Sequence, residues 1–523
     1  MANPTVADYL LHRLRAWGVD HVFGYPGDGI NGILAAWTRT GNDPVFVQSR
    51  HEEMSAFEAV GYAKFTGRPG VCMATSGPGA IHLLNGLYDA KLDHVPVVAI
   101  VGQTDRSAMG GRLRPSPDHT GRRRDPAGRG DPQRRGQGGD ARRQRRPRCA
   151  DATRAGRGSA RRRGGESPAG QGRAVGRVAV VTGSIGLLGT RPTHEMMTGC
   201  DTLLIVGSSL PYSQFLPEYG QARCVQIDID PNMIGMRYPN EVNLVADAAA
   251  ALDALVPLLQ RKEDRSWREG IEQNVQRWWQ TMGQQAEVET EFVNPLRMFA
   301  EASPRLPDDA IVTADSGSAA NWYARQLQFR GDMRGSLSGT LATMGPAVPY
   351  GIGAKFAHPG RPVVAFAGDG AMQMNGMAEL ITIQRYWQQW TDPRLVVAII
   401  HNNDLNQVTW EMRAMGGAPK FAESQSLPDV DYAAFARSLG LGGETVKSSD
   451  EMGSAWDRAL AADRPTVLDV YTDPDMPPIP PHATWEQFTD VAKAVLAGDE
   501  NRWGFVKQGV KTKLQEYLPG NDR

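Results

Sequence analysis

Residues 363–403, VVAFAGDGAMQMNGMAELITIQRYWQQWTDPRLVVAIIHNN, are the most informative segment of this 523-residue chain. Apolar runs at 363–367 and 395–401 flank a helical pattern, which predicts a strand, a helix and a second strand. Strands that alternate with helices form parallel sheets, and such sheets carry function in the loops that leave the carboxyl ends of their strands. The segment therefore predicts an α/β fold with Gly368-Asp369-Gly370 and Asn402-Asn403 at one functional edge.

The polar residues at that edge suit a diphosphate with its metal ion. Glycines beside Asp369 let a phosphate approach the backbone, and the start of the following helix favours negative charge. Mg²⁺ prefers oxygen ligands, which Asp369, the Asn403 side chain and the Leu405 carbonyl would supply. The alternative is a tight strand–helix turn followed by an unrelated Asx turn. The paired asparagines after the next strand favour the metal site.

Two further motifs follow strands in the N-terminal part of the chain. In Arg50-His51-Glu52-Glu53, a carboxylate in a closed cleft would set the protonation of a bound heterocycle. The alternative is an ordinary helix start, where acidic residues are common. Thr75-Ser76-Gly77-Pro78-Gly79, with Asn85 one helix later, presents N–H groups and a hydroxyl to a ligand. Taken alone, that motif predicts only a turn.

Alternating helices and strands divide the chain into three α/β units. We predict an N-terminal unit over 1–110, a central unit over 181–258 and a C-terminal unit over 292–475. The polar, helical residues 259–291 form a linker. A proline run opens the tail, 476–523, which contains one amphipathic helix. We expect that helix to face solvent or pack on a subunit, with at most peripheral membrane contact.

Residues 111–180 fit none of these units. Positions 111–178 hold 20 Arg, no Lys and 6 acidic residues, a net charge of +14 that leaves −15 on the rest of the chain. They contain 14 Gly and 6 Pro but no Ile, Phe, Tyr or Trp, so they cannot build a core. The first α/β unit thus breaks off early, and patterned sequence resumes at Val181.

The remaining composition excludes several classes of protein. With 41% hydrophobic residues the chain can bury large cores, and four cysteines without a C-x-x-C pair are too few for a disulfide framework. The apolar runs are far shorter than the roughly 18 residues that a membrane span needs. No signal-peptide pattern opens the chain, so we expect a cytoplasmic protein. A formal net charge of −1 gives no indication of a nucleic-acid partner.

Seven motifs stand in one order along the chain: Gly24-Tyr25-Pro26-Gly27, Arg50-His51-Glu52-Glu53, Thr75-Ser76-Gly77-Pro78-Gly79, Gly86-Leu87-Tyr88-Asp89-Ala90, His94-Val95-Pro96-Val97, Thr343-Met344-Gly345, and Gly368-Asp369-Gly370 with Asn402-Asn403. With this set the chain resembles the thiamine-diphosphate enzymes of the pyruvate oxidase and acetolactate synthase family over residues 1–110 and 181–500. The resemblance implies three doubly wound parallel-sheet domains (pyrimidine-binding, central FAD-type and diphosphate-binding), here interrupted between the first and second. It also implies decarboxylation of pyruvate or a related 2-oxo acid.

The resemblance also assigns roles to individual residues. Glu52 would hydrogen-bond N1′ of the aminopyrimidine and so favour the tautomer that removes the proton from the thiazolium C2. Met344 would support the bent cofactor from beneath, and the Ala342 backbone would hold the pyrimidine edge. Mg²⁺ on the diphosphate would take its ligands from Asp369, Asn403 and Leu405. The other cofactor contacts implied are Pro26, Gly27, Thr75, Asn85, Gly368, Gly370, Ala371 and Met372.

Family members bind this cofactor between the N-terminal domain of one subunit and the C-terminal domain of another, which implies a homodimer or a homotetramer. The central unit resembles the family's FAD-binding domain at Gly186, Gly207, Ser208, Asp228 and Asp247. An FAD site is therefore implied, the alternative being ordinary α/β turns kept by a domain that lost its flavin.

The fate of the decarboxylated substrate has two alternatives. Oxidation through FAD, as in a pyruvate oxidase, is the first expectation, and Gly207-Ser208-Ser209 with Leu210-Pro211-Tyr212 favours it. Addition to a second oxo acid, as in an acetolactate synthase, is the alternative, and Trp410-Glu411 favours that reaction.

The Arg-rich segment has three interpretations. Its bias to Arg, Gly, Ala and Pro is typical of GC-rich DNA read out of frame, and it is much shorter than the family stretch it replaces, so we hypothesise a frameshift with a deletion. A basic arm that binds nucleic acid is the rival, although positions 111–178 lack lysines and aromatic residues that stack on bases. An inactive or misfolded product is the third, because missing strands leave open sheet edges.

Overall fold

The computed structural model describes residues 4–103, 180–208 and 213–478, together with Val491 and Ala494. The Arg-rich segment, positions 209–212 of the oxidase-like motif and most of the tail helix predicted over 485–496 lie outside the described residues. Val491 and Ala494 are helical and buried, and Val491 packs against Trp410 and Ala414.

The described residues contain thirteen strands, and every pairing between them is parallel. They are β1 His21–Gly24, β2 Val45–Gln48, β3 Gly70–Ala74, β4 Val97–Val101, β5 Thr202–Val206, β6 Arg223–Asp228, β7 Val242–Val245, β8 Ile311–Ala314, β9 Arg334–Ser336, β10 Val363–Gly368, β11 Leu395–His401, β12 Gly442–Val446 and β13 Thr466–Tyr471.

These strands form three sheets with the orders β2-β1-β3-β4, β5-β6-β7 and β12-β13-β11-β10-β8-β9. The fold class is therefore α/β with three parallel sheets, as the sequence predicts. The pattern missed β7, β9 and β12. Each of these strands lacks a continuous apolar run, since β9 reads Arg-Gly-Ser and β12 opens with two glycines.

The helices cover the faces of the sheets. They are α1 Val6–Ala16, α2 Asn31–Thr40, α3 Glu52–Thr66, α4 Pro78–His82, α5 Leu84–Leu92, α6 Arg191–Gly199, α7 Ala248–Leu255, α8 Ser266–Ala286, α9 Pro295–Arg305, α10 Ser318–Gln326, α11 Ala347–Ala357, α12 Asp369–Ala371, α13 Met377–Tyr386, α14 Asn406–Gly416, α15 Ala422–Gln425, α16 Tyr432–Ser438 and α17 Met452–Ala461. No helix among the described residues has the length and apolar composition to cross a bilayer.

The six-stranded sheet is the best-buried part of the chain. All seven residues of β11 are buried, as are the first five of β10, which is the pattern of a parallel sheet covered on both faces. The apolar runs that predicted these two strands are therefore continuous because each strand has a helix layer on either side.

Helices α3 and α11 join the four-stranded sheet to the six-stranded sheet. A Cβ at Gly61 of α3 would lie 2.7 Å from the Cα of Tyr350, so the two helix backbones are in direct contact there. Gly353 of α11 meets the backbone of Glu58 in the same way. This close crossing brings the starts of α3 and α11, where two of the motifs lie, to the same region of the molecule.

Apolar side chains are exposed on the edge strands of two sheets. Strand β4, the last before the Arg-rich segment, is an edge strand with Val98 and Val101 exposed. In the central sheet, Leu204 of β5 and all four residues of β7 are exposed. Edge strands of this kind are where a sheet can pair with another chain.

Candidate functional site

Asp369 links the carboxyl ends of β10 and β11 through hydrogen bonds. Its Oδ1 accepts a hydrogen bond from the backbone N–H of Gly370 at 2.8 Å. Its Oδ2 accepts from the N–H groups of Asn402 at 2.8 Å and Asn403 at 2.6 Å. The two motifs of the opening segment, 33 residues apart, therefore form one structural unit.

The electrostatics of this unit favour a bound cation. Asp369 is 3% exposed, and burial raises the pKa of its carboxyl to about 6 although three backbone N–H bonds act to lower it. A nearby cation would offset the cost of that buried charge. Asp369, the Asn403 side chain and the Leu405 carbonyl offer only oxygen atoms, which is the donor set that Mg²⁺ prefers. The residues present thus fit a hard divalent ion.

Gly370 packs closely beside this unit, where a larger residue would not fit. A Cβ at that position would lie 2.8 Å from the Leu405 side chain and 3.4 Å from Cε of Met344. Gly370, which is predicted to line the diphosphate, and Met344 are therefore neighbours. Met372 follows in a single turn of π-helix, 372–376, and its side chain is buried in the core, so that only its backbone can face a ligand.

A buried aspartate that the sequence analysis did not identify holds the Met344 loop. Oδ1 of Asp315 accepts hydrogen bonds from the N–H groups of Gly345 at 2.9 Å and Ala347 at 3.1 Å. Burial raises the pKa of Asp315 to about 7. Ala342 enters the loop with a φ of 54°, a left-handed conformation that is uncommon outside glycine. An aspartate directly after a buried strand was the available sequence indication.

The predicted pyrimidine-site residues meet at the carboxyl edge of the four-stranded sheet. Pro26 and Gly27 follow β1, and Thr75 follows β3. A Cβ at Gly27 would lie 2.5 Å from Cβ of Thr75, and the Thr75 hydroxyl accepts a hydrogen bond from the N–H of Gly29 at 3.0 Å. The structure therefore brings these three predicted residues together.

Glu52 faces the same edge. It is the first residue of α3, its side chain is 11% exposed, and its Oε2 lies 3.0 Å from Nδ1 of His82. The ring of His51 lies against that of His82, with 4.5 Å between centroids. Nδ1 of His51 accepts the backbone N–H of Glu53 and caps the helix. These contacts place Glu52 in a polar pocket of the N-terminal unit, near Gly79.

Asn85 contacts different residues from those that surround Pro26, Gly27, Thr75 and Glu52. Its Nδ2 donates to Oε1 of Glu53 at 2.5 Å and to the Thr343 hydroxyl at 3.0 Å. Oε2 of Glu53 accepts from Nδ2 of Asn375 at 3.4 Å. Glu53 and Asn375, which the sequence analysis did not select, therefore connect the N-terminal unit to the loop that carries Met344.

A cavity of about 670 Å³ lies at this connection. Of the predicted residues, Asn85 and Met344 lie on its wall. The lining residues are Arg50, His51, Glu53, Asn85, Thr343, Met344, Met374, Asn375 and Ala378. Oδ1 of Asn375 is buried without a hydrogen-bond partner among the described residues, so the wall keeps one free acceptor.

Two buried carboxyl groups face each other behind the cavity. Glu58 of α3 and Glu379 of α13 are both 0% exposed. Oε1 of Glu379 accepts the backbone N–H of Arg50 at 2.9 Å, but neither oxygen of Glu58 meets an N–H donor among the described residues. Burial and the Glu379 charge raise the pKa of Glu58 well above its ordinary value. Burial therefore favours the protonated form of Glu58 over its carboxylate.

The predicted flavin residues lie in the central unit, Gly207 and Ser208 after β5 and Asp228 at the end of β6. Gly186 lies in a short 3₁₀ turn that contacts α10. Two carboxylates already have structural partners: Asp228 accepts the N–H of Asp230 at 2.9 Å, and Asp247 caps α7 through the N–H of Ala250 at 3.0 Å. The structure places three of the five residues at one sheet edge without showing a flavin site.

The structure thus brings Asp369, Asn402 and Asn403 together at one sheet edge and Glu52 beside His82 in the N-terminal unit. Comparison with known families identifies the group to which the chain belongs. The N-terminal TPP binding domain of the thiamine pyrophosphate enzymes matches residues 4–122, the central domain 166–255 and the C-terminal TPP binding domain 315–470. The chain belongs to the thiamine pyrophosphate enzyme family.

Curated relatives are similar over most of their length. The putative thiamine pyrophosphate-containing protein YdaP of Bacillus subtilis is 30% identical, covering 99% of this chain and 100% of the relative. Pyruvate oxidase of Lactiplantibacillus plantarum is 26% identical over 89% of this chain and 88% of its own. Acetolactate synthase isozyme 2 large subunit of Escherichia coli is 28% identical over 89% and 95%.

Proposed function

We propose that this chain catalyses the decarboxylation of pyruvate or a related 2-oxo acid with thiamine diphosphate and Mg²⁺. The observation that carries the proposal is the unit formed by Asp369, Asn403, Gly370 and Met344 at the carboxyl edge of the six-stranded sheet. It combines a buried carboxylate, further oxygen donors and open space beside Gly368, where a Cβ would meet nothing within 4 Å, which together suit a metal-bound diphosphate.

Each residue of the unit then has a defined task. Asp369, Asn403 and Leu405 hold the metal ion, and the backbone at Gly368, Gly370, Ala371 and Met372 lines the diphosphate. Met344 supports the bent cofactor, the Ala342 backbone holds the pyrimidine edge, and Glu52 holds a proton at N1′. Thiamine diphosphate, when bound, supplies a thiazolium ring that takes up the electron pair left when CO₂ departs.

We propose that Glu52 serves the C-terminal unit of a second copy, so that the working enzyme is a homodimer or homotetramer. The residue pairs with His82 inside its own N-terminal unit, whereas Glu53 takes the contacts to the C-terminal unit of the same chain. Exposed apolar side chains on α4 and α5, among them Ile81 and Tyr88, offer a surface for the second copy.

We propose oxidation as the step after decarboxylation, with FAD on the central unit as the electron acceptor. The similarity to a pyruvate oxidase and the position of Gly207, Ser208 and Asp228 at one sheet edge support this choice. Carboligation is the second candidate, because an acetolactate synthase large subunit matches at 28% identity over 95% of its length.

The test is an assay of the purified chain with pyruvate, thiamine diphosphate, Mg²⁺ and FAD, with and without ferricyanide. CO₂ and acetate that appear only with ferricyanide indicate the oxidase, and acetolactate formed without it indicates the carboligase. Asp369→Asn is the matched control, since it keeps the side-chain shape and removes the charge that binds the metal. Absence of CO₂ under all conditions from a folded, cofactor-loaded chain would contradict the proposal.

We propose that the Arg-rich segment arose from a frameshift with a deletion. The alignment with YdaP runs over 596 residues although this chain has 523, so the relative carries positions that this chain lacks. The family matches reach residue 122 and resume at 166, which leaves 123–165 unmatched. Translating the DNA between the codons for Gly110 and Val181 in all three frames tests this. A frame with periodic strands and helices supports a frameshift, and none in any frame contradicts it.

A further inference from the structure

A buried histidine lies beside the predicted metal ligand Asn403. His401 is the last residue of β11, is 0% exposed and precedes the predicted metal ligand Asn403 by two positions. Its Nε2 lies 2.8 Å from Oδ1 of Asn403. Its Nδ1 lies 2.8 Å from Oδ1 of Asp469, which is also 0% exposed. The side chains of Asp469, His401 and Asn403 thus form a row that ends at a predicted metal ligand.

The surroundings of the ring prevent it from turning. Tyr471 stacks on one side with 4.1 Å between ring centroids and 30° between planes, and Tyr432 contacts the ring edge-on at 5.1 Å. Asp469 lies on the neighbouring strand β13, and its second oxygen accepts the backbone N–H of Tyr432 at 3.2 Å. The position of His401 is therefore determined by two strands and one helix.

Both ring nitrogens of His401 face oxygen acceptors. Nδ1 faces Asp469, and Nε2 faces Asn403 and, at 3.2 Å, Oδ1 of the exposed Asp429. With the Asn403 carbonyl oxygen in this position, the contact is a hydrogen bond that Nε2–H donates. An asparagine amide can present either oxygen or nitrogen in one direction, and such a donor selects the oxygen.

We propose that His401, held by Asp469, is a positioning residue that fixes the Asn403 carbonyl oxygen as a ligand for the metal ion at Asp369. A carbonyl oxygen has two lone pairs, so Oδ1 can accept from His401 and still bind the ion. Asn403 has a left-handed φ of 54°, and its backbone N–H is held by Asp369, so rotation of the amide is the main freedom left to it. This inference rests on the proposed function.

The experiment measures cofactor binding without substrate. Thiamine diphosphate is titrated into the full chain by calorimetry at a series of Mg²⁺ concentrations, which gives the Mg²⁺ concentration for half-maximal binding. In His401→Phe, an aromatic ring remains between the tyrosines but the donor is lost, and we expect that concentration to rise by about 10- to 100-fold, the usual effect of losing such a partner. His401→Gln restores an N–H donor, and we expect it to recover part of the loss.

Tyr471→Phe is the matched control. It keeps the stacked ring and removes only the hydroxyl, which donates to Asp429 at 2.8 Å, so the Mg²⁺ requirement should stay that of the wild type. A folded His401→Phe variant with an unchanged Mg²⁺ requirement would overturn the proposal. Should that variant not fold, Asp469→Asn decides: a several-fold rise supports the proposal and an unchanged requirement refutes it.

The wild-type titration separates the two proposals. Binding of thiamine diphosphate that is independent of Mg²⁺ would remove the metal site and the task of His401 with it. Binding that depends on Mg²⁺ in the wild type and equally in all variants would refute the role of His401 alone, while the proposed function would stand.

Discussion

Replacing Glu58 by glutamine is expected to remove a pH dependence of stability. Glu58 is fully buried, faces the equally buried Glu379, and keeps a proton because burial and the charge of Glu379 raise its pKa well above the ordinary value of 4.5. In the unfolded chain the same carboxyl loses its proton as the pH rises through about 4.5. The folded state therefore binds one more proton than the unfolded state above that pH.

The sign and size follow from proton linkage. Because the folded state holds the extra proton, the free energy of unfolding falls as the pH rises, by about 1.4 kcal/mol for each pH unit between the unfolded and the folded pKa of Glu58. Between these two pKa values the wild type should lose stability with rising pH relative to Glu58→Gln, whose amide does not titrate. Arg50 and Tyr386 are the other titratable groups that interact with Glu58.

Urea unfolding followed by tryptophan fluorescence at pH 5.0, 5.5 and 6.0 measures this difference. Glu423→Gln is the matched control, since the Glu423 side chain is exposed. The wild type and the control should show the same slope with pH, and Glu58→Gln a shallower one. A difference between wild type and Glu58→Gln that stays constant over this range would refute the retained proton on Glu58.

Three other outcomes are expected. Glu52→Gln should abolish hydrogen–deuterium exchange at C2 of bound thiamine diphosphate while leaving its binding nearly intact; unchanged exchange would exclude the proposed role. Gly345→Ala should lower stability by about 1–2 kcal/mol and weaken cofactor binding, because φ is 93° and the new Cβ would lie 2.5 Å from Oδ1 of Asn375. Gly360→Ala, where a Cβ meets nothing within 4 Å, is its control, and equal melting temperatures would contradict the argument. Val98→Lys on edge strand β4 should reduce aggregation measured by light scattering; no reduction would show that this edge is not the site of association.

Much of the fold could be predicted from local patterns. The apolar run at 395–401 coincides with β11, and the run at 363–367 ends one residue before β10 does. Strand and helix periodicities are properties of neighbouring residues, and buried parallel strands are apolar throughout. β9 was not predicted, because Arg334–Ser336 becomes a strand only by pairing with β8.

The meeting of Asp369 and Asn403 was also predictable, since they follow adjacent parallel strands, and the carboxyl ends of such strands meet. The residues that hold the Met344 loop in place could not be predicted from the sequence. Asp315 lies some 30 residues from Gly345, and no short motif connects them. Glu53 has the same local pattern as Glu52, and only the packing of α3 on α11 turns it toward Asn375.

The order of residues alone thus predicted a parallel α/β chain and the sheet edge where Asp369 and Asn403 meet, because each depends on patterns within about one strand–helix–strand unit. The ordered set of seven motifs along the chain indicated the family. The tertiary structure decided which side chains support that edge. His401 meets Asp469 and Glu58 meets Glu379 across 68 and 321 positions of sequence. Contacts between such distant residues are set by how helices and strands pack, and burial then determines which of the groups keep a proton.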